Sequence, residues 1–397
     1  MAIAKKIETY LKKGSMIRKL FEEGARLATD GSGKPVFDFS IGNPDLEPPK
    51  KFSHHLLQAA QDTAPGRHKY MPNTGYPETR KAVADQLSRE YNLRFSAESI
   101  IMTVGAGGGL NTLLKAVVNA GEEVLTTAPY FVEYGFYCDN HGITLRTVEC
   151  DGDFHLPLEK IEAALSTNTG AVIINNPNNP TGVVYSQNEL NRLGDILARK
   201  SAGRKKPIYL IDDAPYRKLV YDIPHCTSAF AAYDNTFMVT SHSKDLGLPG
   251  ERIGYIALSP NIAQSALIYQ ACAFTNRTLG FVNAPALMQR AVAHVQDVTI
   301  DLNWYKRKRD LLYTSLRDMG YTLPCPGGAF YMFPAVPEGI SEEDFVSLLK
   351  SKRVLTVPGS AFGKPGYFRL SYCVDDKKIA MALPLFAEAM HEVTQNR

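Results

Sequence analysis

The stretch AVIINNPNNPTGVVYSQNELNRLGDILARKSAGRKKPIYLID, residues 171–212, decides the fold. It opens with a short run of β-branched and apolar residues, AVIIN (171–175), which a cluster of Asn and Pro brings to a stop. A helix-length segment, SQNELNRLGDILARK (186–200), comes next, and a second apolar run, PIYLID (207–212), closes the unit. A strand, a covering helix and a strand in that order predict two strands lying parallel in one sheet.

The same alternation continues on either side. SIIMTV (99–104), EVLTTA (123–128) and TFMVTS (236–241) are further strand candidates, with the helical GLNTLLKAVVNAG between the first two. The pattern predicts an α/β architecture, a parallel-rich sheet with helices on both faces, whose ligands collect at the carboxyl ends of the strands. The unusual segments GAGGG, APYF, NNPNNPTG, DDAPY and SHSK each follow such a strand, so they are expected along one rim. Further on the chain changes character. A helical NWYKRKRDLLYTSLRDMG precedes GGAFYMFPAV, RVLTVP, YFRLSYC and a helix-like KKIAMALPLFAEAMHEV. This reads as a smaller α+β domain, with the N-terminal helix and VFDFSIGNPD packed onto it. The expected division is an N-terminal segment at 1–50 joining the small domain, a large domain at 51–290 and a small C-terminal domain at 291–397.

Composition narrows the class. The chain has 397 residues, 44% hydrophobic and 21% charged, with a formal net charge of +3. Such a balance is that of a globular protein and offers no basic surface for nucleic acid or an acidic membrane. Six cysteines, Cys138, Cys150, Cys226, Cys272, Cys325 and Cys373, are scattered without a C-x-x-C or a His cluster at metal spacing, so no metal site is expected. They read as reduced thiols, and the charged opening residues lack the apolar core of a secretory signal; a cytoplasmic protein is expected.

Several segments carry chemistry. VGAGGGL (104–110) joins a strand to a helix; with Gly105 and Gly107 as the first two glycines, the third position of a dinucleotide fingerprint is Leu110. The loop is either a tight turn or an anion site at a helix start, where backbone N–H groups are free. In NNPNNPTGVVY (175–185) the prolines make a rigid turn, and Asn179 is placed to donate to a ligand oxygen. LIDDAPYRKL (210–219) puts two acids at the end of an apolar strand, which are costly there without a cation or donors, with Tyr216 three residues beyond Asp213. Phe131 in APYFVEY is core or cofactor support, and Arg369 in YFRLSY needs a carboxylate or phosphate, from a salt bridge or a ligand. In TSHSKDLGLPGERIGY (240–255), Lys244 follows Ser241 and Ser243, and Arg252 stands eight residues on. That grouping is either a solvated turn or a phosphate site with a nucleophilic lysine.

Taken in order, IGNPD, KYMPNTGYPETR, VGAGGG, PYF, NPNNPTG, DDAPY, SHSK with its distant arginine, GGAFY and FRLSY run nearly end to end. In this order the chain resembles the class I/II aminotransferases, the pyridoxal-phosphate (PLP) enzymes of the aspartate aminotransferase fold. The resemblance implies fold type I: a mostly parallel seven-stranded sheet between helices, plus a smaller domain drawn from both chain ends. It implies that Lys244 bonds covalently to PLP and shuttles a proton, with Asp213 facing the pyridine nitrogen. Asn179 and Tyr216 would bond the cofactor's phenolic oxygen, and Phe131 would stack on its ring. Gly105, Ala106, Gly107, Ser241, Ser243 and Arg252 would hold the phosphate, joined by Tyr70 from the partner of a homodimer with shared sites. Arg369 would grip the substrate α-carboxylate, aided by Asn179, and Gly42 would lie in the loop that closes over substrate. Asp212, one residue out of family spacing, is assigned a structural role. Gly107 stands where aspartate-preferring relatives place Lys, which weighs against an acidic substrate. The implied reaction moves an amino group from an L-amino acid (aspartate, alanine or an aromatic one) to a 2-oxo acid. A C–S β-lyase on the same fold is the alternative, and an NAD-dependent dehydrogenase, suggested by the glycine loop, is the more distant one.

Overall fold

The structure, a computed structural model, describes residues 2–13, 26–27 and 33–395. The remainder of the expected N-terminal segment, 14–25 and 28–32, lies outside the described residues. Twelve strands occur among them in chain order: β1 (Phe37–Asp38), β2 (Ile100–Thr103), β3 (Glu123–Ala128), β4 (Thr144–Glu149), β5 (Thr169–Asn175), β6 (Tyr209–Asp213), β7 (Thr236–Ser241), β8 (Gly254–Leu258), β9 (Tyr331–Met332), β10 (Val354–Leu355), β11 (Val357–Pro358) and β12 (Phe368–Ser371). Seven of these form the main sheet in the order β2-β8-β7-β6-β5-β3-β4. All its neighbours pair parallel except β8, which runs antiparallel to both β2 and β7.

Period-two alternation assigns each side chain to a face. On one face Ile173, Ile211, Val239 and Ile256 pack with Leu110 and Leu113 of the helix Gly105–Val117 and Cys272 of the helix Ser265–Thr278. On the other, Val172, Ile174 and Leu210 meet Leu190, Leu193 and Leu197 of the helix Gln187–Ser201. Further along that face, Met238 and Tyr255 meet Val83 and Leu87 of the helix Pro77–Tyr91. Burial of both faces is why the central strands read as unbroken apolar runs. Helix Gln187–Ser201 starts at a capping box in which the Ser186 hydroxyl accepts from the Glu189 N–H and the Glu189 carboxylate accepts from the Ser186 N–H. Gly194 lets it lie against the next turn of chain, since a Cβ there would stand 2.0 Å from the Ala232 carbonyl oxygen.

Two small sheets build a second core. β1 pairs parallel with β10, and β12 lies between β11 and β9. Phe37 and Phe39 pack there with Leu312, Phe345, Leu370 and Phe386, so the segment around β1 and the C-terminal residues share one interior. The helix Lys5–Lys13 goes elsewhere. It was expected on the small domain, yet its Tyr10 ring packs edge-on to Phe136, centroids 4.9 Å apart. The Tyr10 hydroxyl donates to Asp139 at 2.5 Å, and Lys6 pairs with the same carboxylate. One acid at the end of the helix Glu133–Asn140 satisfies both groups, which draws the helix to the large sheet's side of the molecule.

Candidate active site

Where β2, β3, β5, β6 and β7 end, their following loops converge on a cavity of about 320 Å³. Gly105, whose φ is +67°, starts one wall, and the helix Gly105–Val117 directs the free N–H groups of its first turn toward that space. Ala106 and Gly107 line the cavity with Ser241 and Ser243. Arg252 reaches the same place from the opposite chain direction: β8 is antiparallel, and its first residue, Gly254, pairs with Ser241 at the end of β7. A Cβ on Gly105 would come within 2.9 Å of Arg252 Nη2, and the residue's left-handed φ itself favours glycine.

Lys244 sits in the short turn of helix His242–Asp245 that follows β7. Its Nζ donates to the Gly42 carbonyl oxygen at 2.8 Å and lies 5.5 Å from the centre of the Phe330 ring. Burial pulls its pKa down to about 8; the Cys373 thiol opposes this, while the charges of Arg369 and Arg252 reinforce it. The amine is therefore poised close to neutrality.

Asp213 and Asp212 end β6 on opposite faces. Asp213 shares the face of Ile211 and lines the cavity, whereas Asp212 lies on the face of Leu210. Burial pushes the Asp213 carboxyl up to about 7, offset by a hydrogen bond from Tyr134, whose hydroxyl donates to Oδ2 at 2.5 Å. The other oxygen, Oδ1, is buried without a partner. Asn175 steadies this strand end: its Nδ2 donates to the Asp213 carbonyl at 2.7 Å and its Oδ1 accepts from the Asn179 N–H at 2.6 Å.

Arg369 closes the far side from β12. It is only 3% exposed, donates to Asn179 Oδ1 at 3.0 Å and to the Ser40 carbonyl at 2.5 Å, and its guanidinium lies 4.6 Å from the Tyr331 ring centre. Its Nε is buried without a partner, and among the described residues no carboxylate pairs with it. A structural salt bridge is thereby removed as its explanation. Tyr216 Oη stands 3.1 Å from Tyr331 Oη, and burial raises both phenols. Gly42 crosses so close above Tyr331 that a Cβ would fall 1.9 Å from its hydroxyl oxygen.

The cavity thus gathers Gly42, Ala106, Gly107, Phe131, Asn179, Asp213, Tyr216, Ser241, Ser243, Lys244, Arg252 and Arg369. Gly105 lies beside it, under Arg252. Tyr70 does not join them; it is 91% exposed. Reading the residues alone passed over Tyr134, Tyr137, Asn175 and Tyr331. The three-residue spacing of Phe131, Tyr134 and Tyr137, one helical turn apart, was a usable signal for two of them.

Comparison with known proteins gives the chain's family. Residues 34–384 match the family model of aminotransferase class I and II. The chain is 31% identical to the probable aspartate aminotransferase of Methanocaldococcus jannaschii over 95% of its own length and 97% of the relative's. A probable aspartate/prephenate aminotransferase of Aquifex aeolicus is 30% identical, covering 91% and 92%. Among solved structures, an amino transferase from Eubacterium rectale superposes with a TM-score of 0.94 at 37% identity over 99% of both chains. The aspartate aminotransferase of Thermus thermophilus with maleate gives 0.87 at 27% identity, over 98% of this chain and 100% of that one. The α/β fold, with its mostly parallel seven-stranded sheet and helices, is that of the fold type I pyridoxal-phosphate class. Within that class the chain belongs to the class I and II aminotransferases, and it is a transaminase. The dehydrogenase reading falls with this assignment. Among the described residues no group of side chains is set to hold a metal ion, and no helix is long and apolar enough to cross a membrane.

Proposed function

We propose that the cavity holds pyridoxal 5′-phosphate against Lys244 and binds an α-amino acid through Arg369. What carries this reading is Arg369 itself, a buried guanidinium with no acidic partner among the described residues, on the same cavity as a near-neutral lysine. A charge kept dry and unpaired is costly, and an incoming carboxylate repays it with a two-pronged hydrogen bond. The residues fit the cofactor on three counts. Asp213 Oδ1 is an orphaned acceptor for a ring N–H. The cradle beside Gly105 is one a Cβ would fill. Ser241, Ser243 and Arg252 supply donors for a phosphate around that cradle.

When bound, PLP supplies an electron-poor ring that takes up the electron pair left as substrate Cα loses its proton. The chain's own groups do the rest. Arg369 fixes the carboxylate and so aims the Cα–H bond at Lys244. Lys244 Nζ takes that proton, which its lowered pKa permits near neutral pH. With the cofactor bound, Asp213 would hold a proton on the ring nitrogen, Asn179 and Tyr216 would bond the ring's phenolic oxygen, Phe131 would support one ring face, and Gly42 would roof the site.

Three cations line the cavity, Lys244, Arg252 and Arg369, and each has a task. The remaining wall includes Leu110, Phe131, Tyr137 and Tyr331, with Gly107 contributing no side chain. From the walls that this chain alone supplies, we propose an amino donor with a neutral side chain, whereas several relatives are named for aspartate. We further assign the enzyme a homodimeric state with Tyr70 crossing to the partner's phosphate, and a cytoplasmic location, supported by six free cysteines. Borohydride reduction followed by peptide mapping tests the cofactor site: label on Lys244 supports it, and label elsewhere overturns it. Mixing holoenzyme with single amino acids and following the colour change tests the donor. Faster reaction with aspartate than with aromatic or aliphatic donors sinks the neutral assignment. Pyruvate and ammonia released from a cysteine conjugate, without amine transfer, indicate the C–S lyase instead.

A further inference from the structure

Asp213 lines the cavity with one carboxylate oxygen bonded and the other without a partner. Its backbone is pinned on one side by Asn175, 2.7 Å from the carbonyl, and by parallel pairing with Asn175 and Val239 on the two neighbouring strands. Its side chain still has a free torsion, and Tyr134 removes it. The phenol donates to Oδ2 at 2.5 Å, leaving Oδ1 as the orphan oxygen of a residue that lines the cavity. Tyr134 is in turn packed on several sides: it is 1% exposed, lies perpendicular to Phe131 at 5.8 Å and stacks on Tyr130 at 6.4 Å. One buried residue therefore touches both groups that would meet a bound ring, the acid at its edge and the aromatic on its face.

We propose that Tyr134 is a positioning residue that sets Asp213 Oδ1 toward the cavity and holds the carboxylate as an acceptor for a protonated ring nitrogen. The proposal rests on the reading that the cavity takes PLP. The sign of its effect follows from the hydrogen bond. A phenol donating to Asp213 stabilises the ionised carboxylate against the burial that pushes it up to about 7. Without the donor the carboxyl holds its proton to higher pH and has less charge to offer a ring N–H. A residue that merely filled space would have no such dependence on pH.

The test is the affinity of the cofactor-free, full-length protein for pyridoxal 5′-phosphate, measured as a function of pH for wild type and Tyr134→Phe. The variant keeps the ring and its packing. We expect binding roughly tenfold weaker near neutral pH, the loss expected for one hydrogen bond to a charged group. The gap to wild type should close as the pH rises and the variant's Asp213 ionises. Infrared titration, assigned with Asp213→Asn, should show the carboxyl midpoint moved upward in the variant. Replacing Tyr134 by 3-fluorotyrosine, a stronger donor of nearly the same shape, should move that midpoint downward, and this variant serves if Tyr134→Phe fails to fold. An equal loss of affinity at every pH, or a carboxyl midpoint indifferent to both substitutions, overturns the positioning role. Failure of the wild type itself to bind the cofactor sinks the reading of the cavity, and the infrared titration still decides on Tyr134.

Discussion

Lys244 Nζ donates a 2.8 Å hydrogen bond to the backbone oxygen of Gly42. The bond ties the lysine at the end of β7 to the segment just after β1, so the N-terminal part of the chain is an element of the active site as well as of the small core. It also costs the lysine little to release, because a single backbone acceptor is replaced readily by substrate or water.

The lysine's titration gives the first prediction. Burial lowers its pKa from 10.5 to about 8. Below that pH Nζ is an ammonium ion and unreactive; above it the free amine predominates. Acylation of the cofactor-free protein, followed by mass mapping, should label Lys244 with a midpoint near pH 8, well before the exposed lysines. A midpoint equal to that of surface lysines would contradict the desolvated site.

A methyl group on Gly42 should be harmful for a purely steric reason. The added carbon would lie 1.9 Å from Tyr331 Oη and 2.5 Å from its ring. Tyr331 has no room to yield, since it contacts Tyr216 and lies under the Arg369 guanidinium. Gly42→Ala should therefore lift the roof of the site, costing ~1–3 kcal/mol of stability as other overpacked substitutions do and lowering kcat/KM. In a Tyr331→Ala background, itself destabilised by the cavity it leaves, Gly42→Ala should add little further loss, because the two residues are in contact and their effects do not add. Strictly additive melting shifts would show that they do not meet.

The removal of Arg369 should affect all amino acids alike. Truncating one partner of a buried, hydrogen-bonded charge pair costs ~3–5 kcal/mol, near a thousandfold in kcat/KM. Arg369→Met should lose about that much with aromatic, aliphatic and acidic donors, while amines lacking a carboxylate react at an unchanged rate. A variant that distinguishes donors by side chain would place Arg369 at the other end of the substrate.

These residues differ in how openly the sequence displays them. β3 and β7 coincide with their apolar runs because both faces of those strands are buried. β4 and β8 did not stand out. β4 is an edge strand whose TLRTVE faces solvent at most positions, and β8 is five residues reached directly from the Arg252 turn. Glycines and charged residues at strand ends pointed to the rim, since such residues are expensive in an apolar setting unless they are used. Tyr134 and Tyr331 carry no such mark; a tyrosine among aromatic residues looks like core, and in part it is. Only three-dimensional proximity separates a phenol that fills space from one that bonds a carboxylate. The first helix was misplaced for a related reason, because its attachment depends on one distant acid, Asp139.

The most exposed tyrosine supplies the last prediction. Tyr70 is 91% exposed and is absent from the lining of its own chain's cavity. With the sites shared as proposed, Lys244 and Tyr70 of one site come from different chains, and two inactive variants should complement each other. Lys244→Ala and Tyr70→Ala should each be inactive or severely impaired alone. Dissociated, mixed and reassociated, they form hybrid dimers in which one site carries both lesions and the other neither. Random pairing makes half the dimers hybrid, so activity should rise to about a quarter of wild type, as follows from two-fold symmetry. Tagging the two variants differently and isolating the hybrid should raise this to about half. If Tyr70 instead served its own chain's cavity, each hybrid would carry one lesion in each site, and mixing would restore nothing.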